Sequence, residues 1–219
     1  AGDYLFAWIF KNVTARYPAP IPHILSATLA AICDGEVLQL RAMRRLELGF
    51  DGYVEIVRKK TATLFAASAE CGAIVGGGES GTPATHALRD FGMEYGIAFQ
   101  MMDDLLDMTS DEASLGKPVG NDLHERKMTL PLIAALAAGD SSFRSRVETF
   151  FAAQPEDAEE RRAIAGLIGE IGALGGFERT EQAIREYAGR AKRALAGLPP
   201  APAAAELASL ADRLAGAKP

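Results

Sequence analysis

Apolar residues recur at helical spacing along most of the chain, and neither a run of strict alternation nor an Asn-Gly hairpin signal interrupts them. This pattern predicts helices over 2–16, 21–48, 50–76, 83–109, 126–139, 141–153, 157–175, 177–197 and 201–215. The breaks fall at residues that disfavour helix. Pro18, Pro20 and Pro22 separate the first helix from the second, and Gly76, Gly77, Gly78, Gly81 and Pro83 separate the third from the fourth. Residues 201–205 read as low complexity, yet Leu207, Leu210, Ala211 and Leu214 restore a stripe and make a terminal helix. The one long irregular segment is 109–125, TSDEASLGKPVGNDLHE, which mixes Gly116, Lys117, Pro118, Gly120 and Asp122 with charges of both signs. Connections longer than ~12 residues are often functional, so this one is read as a lid or binding loop.

Composition sharpens the fold class. The chain has 219 residues, 48% of them hydrophobic but only 7% aromatic, so much of the apolar content is Ala and Leu, the best helix formers. An all-α protein is expected, with residues 1–219 forming a single domain. No stretch approaches ~18 apolar residues free of polar interruption, so no transmembrane segment is expected. A formal net charge of −6 disfavours a nucleic-acid partner, which needs a dense cationic face. Any anionic substrate must then meet local positive charge. Cys33 and Cys71 are isolated, which excludes a disulfide scaffold and a zinc site and fits core thiols in a reducing cytoplasm. The opening residues AGDYLFAWIF carry an acid and lack the basic start of a signal peptide.

The richest chemistry lies in GIAFQMMDDLLDM, residues 96–108. On a helix, Asp103 and Asp107 share a face one turn apart, Gln100 lies a turn earlier and Asp104 stands about 100° round. Ile97, Phe99, Met101, Met102, Leu105, Leu106 and Met108 surround them, so the helix is expected to be deeply packed. Burying ionised carboxylates without partners costs several kcal/mol each, and a cation is the natural compensation. Oxygen ligands with no His or Cys beside them suit Mg²⁺, which takes one or two carboxylates and completes its shell with water and substrate phosphates. An exposed acidic helix face is the competing reading, and a bare DDxxD spacing is weak by itself. The apolar flanks and Gln100 favour the site.

Cations for a phosphorylated ligand are present. Lys60 and Thr61 in YVEIVRKKTATLF offer an ammonium and a hydroxyl, although Arg58, Lys59 and Lys60 alone read as a solvated charge run. Lys117 lies in the long segment, and Lys127 is expected to open the helix KMTLPLIAAL. Other signals carry less. The Gly76–Thr82 stretch lacks the lysine of a phosphate-binding loop, and His23, His86 and His124 have no nucleophile motif beside them. Glu159, Glu160, Arg161 and Arg162 read as an exposed paired face. Glu36 and Gln39 either face a cavity or form a core polar pair.

Together these segments resemble the trans-isoprenyl (polyprenyl) diphosphate synthase family. The pieces are GDYL at 2–5, GEVLQL at 35–40, Lys60-Thr61-Ala62 with Leu64-Phe65, FQMMDDLLD at 99–107, LGKPVGNDL at 115–123 and KMTLPLI at 127–133. The match runs to about Leu136, and the residues after Ala138 resemble only generic closing helices. The resemblance implies an all-α fold around a deep central cavity, in which two Asp-rich motifs hold Mg²⁺ ions on the diphosphate of an allylic substrate. Ionisation leaves an allylic cation, isopentenyl diphosphate attacks it, and loss of a proton yields a longer trans-polyprenyl diphosphate. Carried over residue by residue, Asp103, Asp104 and Asp107 match the second motif as metal residues, with Asp103 the direct ligand and Asp107 acting through water. Lys60, Lys117 and Lys127 match diphosphate-binding lysines, while Thr61 and Gln100 match polar residues at the reacting end, so the catalytic set is Lys60, Thr61, Gln100 and Asp103. A cytoplasmic homodimer is implied, and the wording of the loop resembles medium- or long-chain synthases.

Two substitutions depart from that pattern. Asn121 stands where long-chain members commonly carry Asp, and Arg126 where they commonly carry Gly. The family's first Asp-rich motif, expected before GDYL, is not among the 219 residues, so the chain is expected to lack N-terminal helices of the domain and to be inactive alone. A non-catalytic partner subunit is the alternative, opposed by the intact acids and lysines. A terpene cyclase is a third, and it fails because NDLHERKMT places Glu125 and Thr129 where its motif wants Ser or Thr and then Glu.

Overall fold

The computed structural model describes residues 1–17, 19–110, 119–153 and 157–216, and among these every regular element is helical. In chain order they are α1 (Gly2–Arg16), α2 (Ile21–Ala42), α3 (Phe50–Val57), a π-helical segment (Arg58–Ala62), α4 (Thr63–Val75), α5 (Pro83–Thr109) and α6 (Asn121–His124). Then follow α7 (Leu130–Ala138), α8 (Ser141–Ala152), α9 (Asp157–Ala173), α10 (Gly176–Ala194), a 3₁₀ turn (Leu195–Gly197) and α11 (Pro202–Gly216). The all-α expectation holds.

Local chemistry explains most boundaries. Thr82 caps α5 by accepting from the Thr85 amide, with Pro83 in the first turn, and Asp140 caps α8 by accepting from the Phe143 amide at 2.9 Å. Two expected helices are shorter than their periodicity. The second stops at Ala42 instead of 48 because Arg44 takes φ 62, a left-handed conformation that ends a helix. The fifth begins at Leu130 instead of 126, because Arg126 takes φ 58 and Thr129 is the extended N-cap, with Pro131 in the first turn. The expected helix over 50–76 is continuous but carries the π-helical segment in its middle.

Helix α5 is central because it is apolar around most of its circumference. Phe91, Ile97, Ala98, Met101, Met102, Leu105 and Met108 are all buried, and the helix packs against α4 on one side and α10 on another. Small residues permit the closest approach. A Cβ on Gly96 would stand 2.7 Å from the Ala62 Cα, so the backbones of α5 and the π-helical segment meet there without side chains between them. Leu123, Leu132, Phe143, Val147, Ile171 and Ile184 extend this core into the C-terminal helices, and Phe91, Ala188, Ala191, Leu195 and Ala211 form a smaller one under α11.

The N-terminal helices are different. Helix α1 buries none of its residues and exposes Tyr4, Leu5, Phe6, Trp8 and Ile9. Helix α2 is, by length and composition, long and apolar enough to cross a membrane, with a mean hydropathy of 1.3 over an 18-residue window. It packs nonetheless against α3, α4 and the π-helical segment, and it carries Asp34, Glu36 and Gln39.

Candidate active site

A cavity of about 260 Å³ opens between α2, α3, the π-helical segment, α5 and the chain leading into α7. Its polar lining comes from Gln39, Tyr53, Lys60, Thr61, Gln100, Asp103, Asp104, Asp122, Lys127 and Thr129. Lys60 and Thr61 reach it from the π-helical segment, whose extra residue per turn changes the direction of successive side chains. Such segments occur frequently at functional sites. The segment fits against α2 only because residue 35 is glycine, since a Cβ there would lie 2.5 Å from the Lys60 amide nitrogen. Across that contact the Lys60 ammonium stands 3.2 Å from Glu36 and donates a hydrogen bond to Gln39 Oε1.

A hydrogen-bonded line crosses the cavity floor. The Thr61 hydroxyl donates to Gln100 Oε1 at 2.9 Å. The Gln100 amide then donates to Asp103 Oδ2 at 3.2 Å and to Asp104 Oδ1 at 3.0 Å. Asp104 is only 3% exposed, and its other oxygen accepts from the Tyr53 hydroxyl at 2.6 Å and from the Leu130 amide at 3.4 Å. Burial raises the Asp104 carboxyl to about 7, against the lowering effect of the Tyr53 and Gln100 donors. Burial first, and the Asp104 charge second, push the Tyr53 phenol well above its ordinary value.

Asp107 sits outside the lining, where α5 ends. Its Oδ2 accepts from the Asp122 amide at 3.1 Å, and its carboxyl is raised to about 6 by burial and then by the Asp122 charge. Burial also raises Asp122, which is held by the Lys127 ammonium at 3.1 Å. Burial by itself would lower the Lys127 ammonium, but the 2.6 Å pair with Glu125 and the Asp122 charge outweigh it and hold it well above the usual lysine value.

The structure therefore brings Lys60, Thr61, Gln100, Asp103, Asp104 and Lys127 to one cavity. Asp103 alone of the three clustered acids is exposed, whereas Asp104 is tied down by Tyr53, Gln100 and Leu130 and Asp107 by the start of α6. Asp104, which the resemblance assigns to the metal, is thus held in the helix packing by Tyr53, Gln100 and Leu130. Lys127 does not open a helix but lies in the link before α7. Lys117, with the rest of residues 111–118 of the long segment, lies outside the described residues.

Among the described residues no three His, Cys, Asp or Glu side chains converge into a ready metal cage. Asp103 and Asp122 nevertheless lie close enough to act on neighbouring acids, both raising Asp107 and Asp103 raising Asp122. An oxygen-only set with few protein ligands fits Mg²⁺, which keeps several waters and takes phosphate oxygens. Asp122 and Tyr53 belong to this cavity; the sequence reading named Asp122 only within the binding loop, without a role of its own, and did not name Tyr53. Asp122 lay in a segment read as loop, and Tyr53 sits in an apolar stripe 51 residues from its partner.

The polyprenyl synthetase family model matches residues 1–168. The chain belongs to the polyprenyl synthetase family. Among its relatives, a short chain isoprenyl diphosphate synthase of Methanothermobacter thermautotrophicus is 40% identical over 151 residues, covering 67% of this chain and 46% of the relative. The octaprenyl diphosphate synthase of Escherichia coli is 36% identical over 149 residues, covering 68% of this chain and 45% of the relative. The chain thus spans a little under half the length of these relatives. A polyprenyl synthase from Caulobacter crescentus CB15, solved in complex with calcium and isoprenyl diphosphate, is 36% identical with a TM-score of 0.88. That superposition covers 98% of this chain and 64% of the other. The all-α fold of polyprenyl synthases is therefore the fold of this chain.

Proposed function

We propose that this polyprenyl synthetase chain forms the diphosphate-binding part of a trans-polyprenyl diphosphate synthase, a prenyltransferase that joins an allylic diphosphate to isopentenyl diphosphate. The observation that carries the reading is the convergence of Lys60, Thr61, Gln100, Asp103 and Lys127 on one cavity whose floor is a single hydrogen-bonded line. Names of relatives that make isoprenyl and octaprenyl diphosphates support it, as does a structural neighbour holding isoprenyl diphosphate beside calcium.

On this reading Lys60 and Lys127 bind the leaving diphosphate, and both must loosen their present pairs with Glu36 and Glu125 to do so. Lys117 is proposed as a further diphosphate ligand. Thr61 and Gln100 present oxygen dipoles to positive charge developing on the allylic carbon, while apolar walls such as Ile56, Val57 and Met128 exclude water. Asp103 would hold Mg²⁺, with Asp107 completing its shell through water. The metal, when bound, neutralises charge developing on the departing diphosphate. The exposed apolar face of α1 supports a homodimer, which light scattering on the purified chain would show as twice the monomer mass.

The 219 residues contain one DDxxD cluster, and they are proposed to bind substrate without elongating it alone. Equilibrium dialysis with a non-ionising thiolo analogue of an allylic diphosphate tests this. Binding that requires Mg²⁺ is expected, with no longer product from the natural substrates. Absence of metal-dependent binding overturns the reading.

A further inference from the structure

Arg126 is a charged side chain in an unfavourable backbone conformation, and its burial explains how it stays there. Its φ of 58 lies in the left-handed region, and its side chain is only 7% exposed. One guanidinium nitrogen donates to the carbonyls of Leu123, at 3.0 Å, and His124, at 2.9 Å, closing the end of α6. The other reaches Glu160 of α9 at 2.7 Å and the Ala153 carbonyl beyond α8 at 3.3 Å. The guanidinium also lies 4.1 Å from the centre of the Phe150 ring on α8. Glu160 is fixed in turn by His124 Nδ1 at 2.7 Å. The backbone of the same residue completes the junction, its carbonyl accepting from the Arg44 amide at 3.4 Å.

This junction sits next to the cavity without lining it. The following residue is Lys127, whose amide donates to the Asp122 carbonyl at 2.9 Å and whose ammonium holds Asp122 and Glu125. A long flexible ammonium is aimed by the backbone that carries it, and that backbone is the left-handed turn. A planar guanidinium with several fixed donors can lock such a turn, where a point charge on a flexible stem cannot.

We propose that Arg126 is the positioning residue for Lys127. The Arg126–Glu160 pair anchors the turn in the seam between α8 and α9 and so sets where the Lys127 ammonium stands on the cavity wall. The purpose of that ammonium, diphosphate binding, rests on the function proposed above. The positioning itself does not depend on a ligand.

Reductive methylation of the 219-residue chain without ligand, followed by peptide mass spectrometry, tests it by comparing Lys127 with the exposed Lys11 of α1. Arg126→Gly is informative because glycine takes the turn without strain and removes only the side chain. Lys127 should be modified about threefold faster in R126G, and about twofold faster in the near-isosteric E160Q, with Lys11 unchanged. A purely structural role would lower the melting temperature and leave the Lys127 to Lys11 ratio as it is. That result in a folded variant overturns the proposal, and E160Q supplies it should R126G fail to fold. Protection of Lys127 in the native chain by Mg²⁺ with inorganic diphosphate is a separate arm. Its absence would overturn the reading of the site, while the ratio in the variants still decides the positioning role.

Discussion

Asp103 and Asp104 adjoin in sequence and differ in environment, one exposed at the cavity and the other buried under three donors. The Asp104 carboxyl lies near 7 in the fold, against about 3.9 in an unfolded chain. Its folded value is raised, so its contribution to stability is fully present below about pH 4 and is lost as pH rises through about 7. Asp107, at about 6, acts in the same direction. Thermal unfolding in a chelator should therefore show the melting temperature declining across that window, with a shallower decline in D104N; an unchanged slope would contradict the burial account. Tyr53→Phe removes the shortest donor to Asp104, and denaturant unfolding should register a loss of about 1–3 kcal/mol. The sequence made Lys60, Thr61, Gln100 and Asp103 legible because their residue types and order carry the family resemblance. It gave Asp104 the same metal role as Asp103, because a step of about 100° on a helix tells that two acids diverge and not which one is buried.

At the scale of the element, apolar periodicity located every helix but the short α6 and misplaced two ends. No glycine or proline marks the stop after Ala42, since the left-handed position is filled by Arg44, and Arg126 does the same before α7. An L side chain in that region costs roughly 1–2 kcal/mol, and the charge-assisted bonds of Arg126, worth about 1.5–3 kcal/mol each, exceed it. The π-helical segment was also invisible, because one added residue barely disturbs an apolar period over a helix of this length. Its consequence is a close fit with α2 at Gly35. Gly35→Ala puts a methyl group against the Lys60 backbone, and overpacking of this kind costs about 1–3 kcal/mol. Chemical denaturation should show that loss, together with weaker diphosphate binding because the same shift displaces Lys60. A G35A chain with native stability would show that α2 and the segment are free to separate.

For the whole molecule, composition and periodicity were enough to give an all-α chain, and the motifs were enough to give its family, which the match over residues 1–168 establishes. The meeting of α3, α5 and the 121–129 region was not legible, because it depends on contacts such as Asp107 with the Asp122 amide and Tyr53 with Asp104. Those contacts place two lysines and an exposed aspartate around a cavity of about 260 Å³ in a chain whose net charge is −6. Local positive charge therefore has to be reinforced before a diphosphate can enter, and Mg²⁺ held by Asp103 is the proposed source. Isothermal titration of inorganic diphosphate into the purified chain, with Mg²⁺ and with chelator, tests this most directly. The account predicts saturable binding that requires Mg²⁺ and falls at least tenfold in D103N; binding that is absent, or equal with and without the metal, would contradict it.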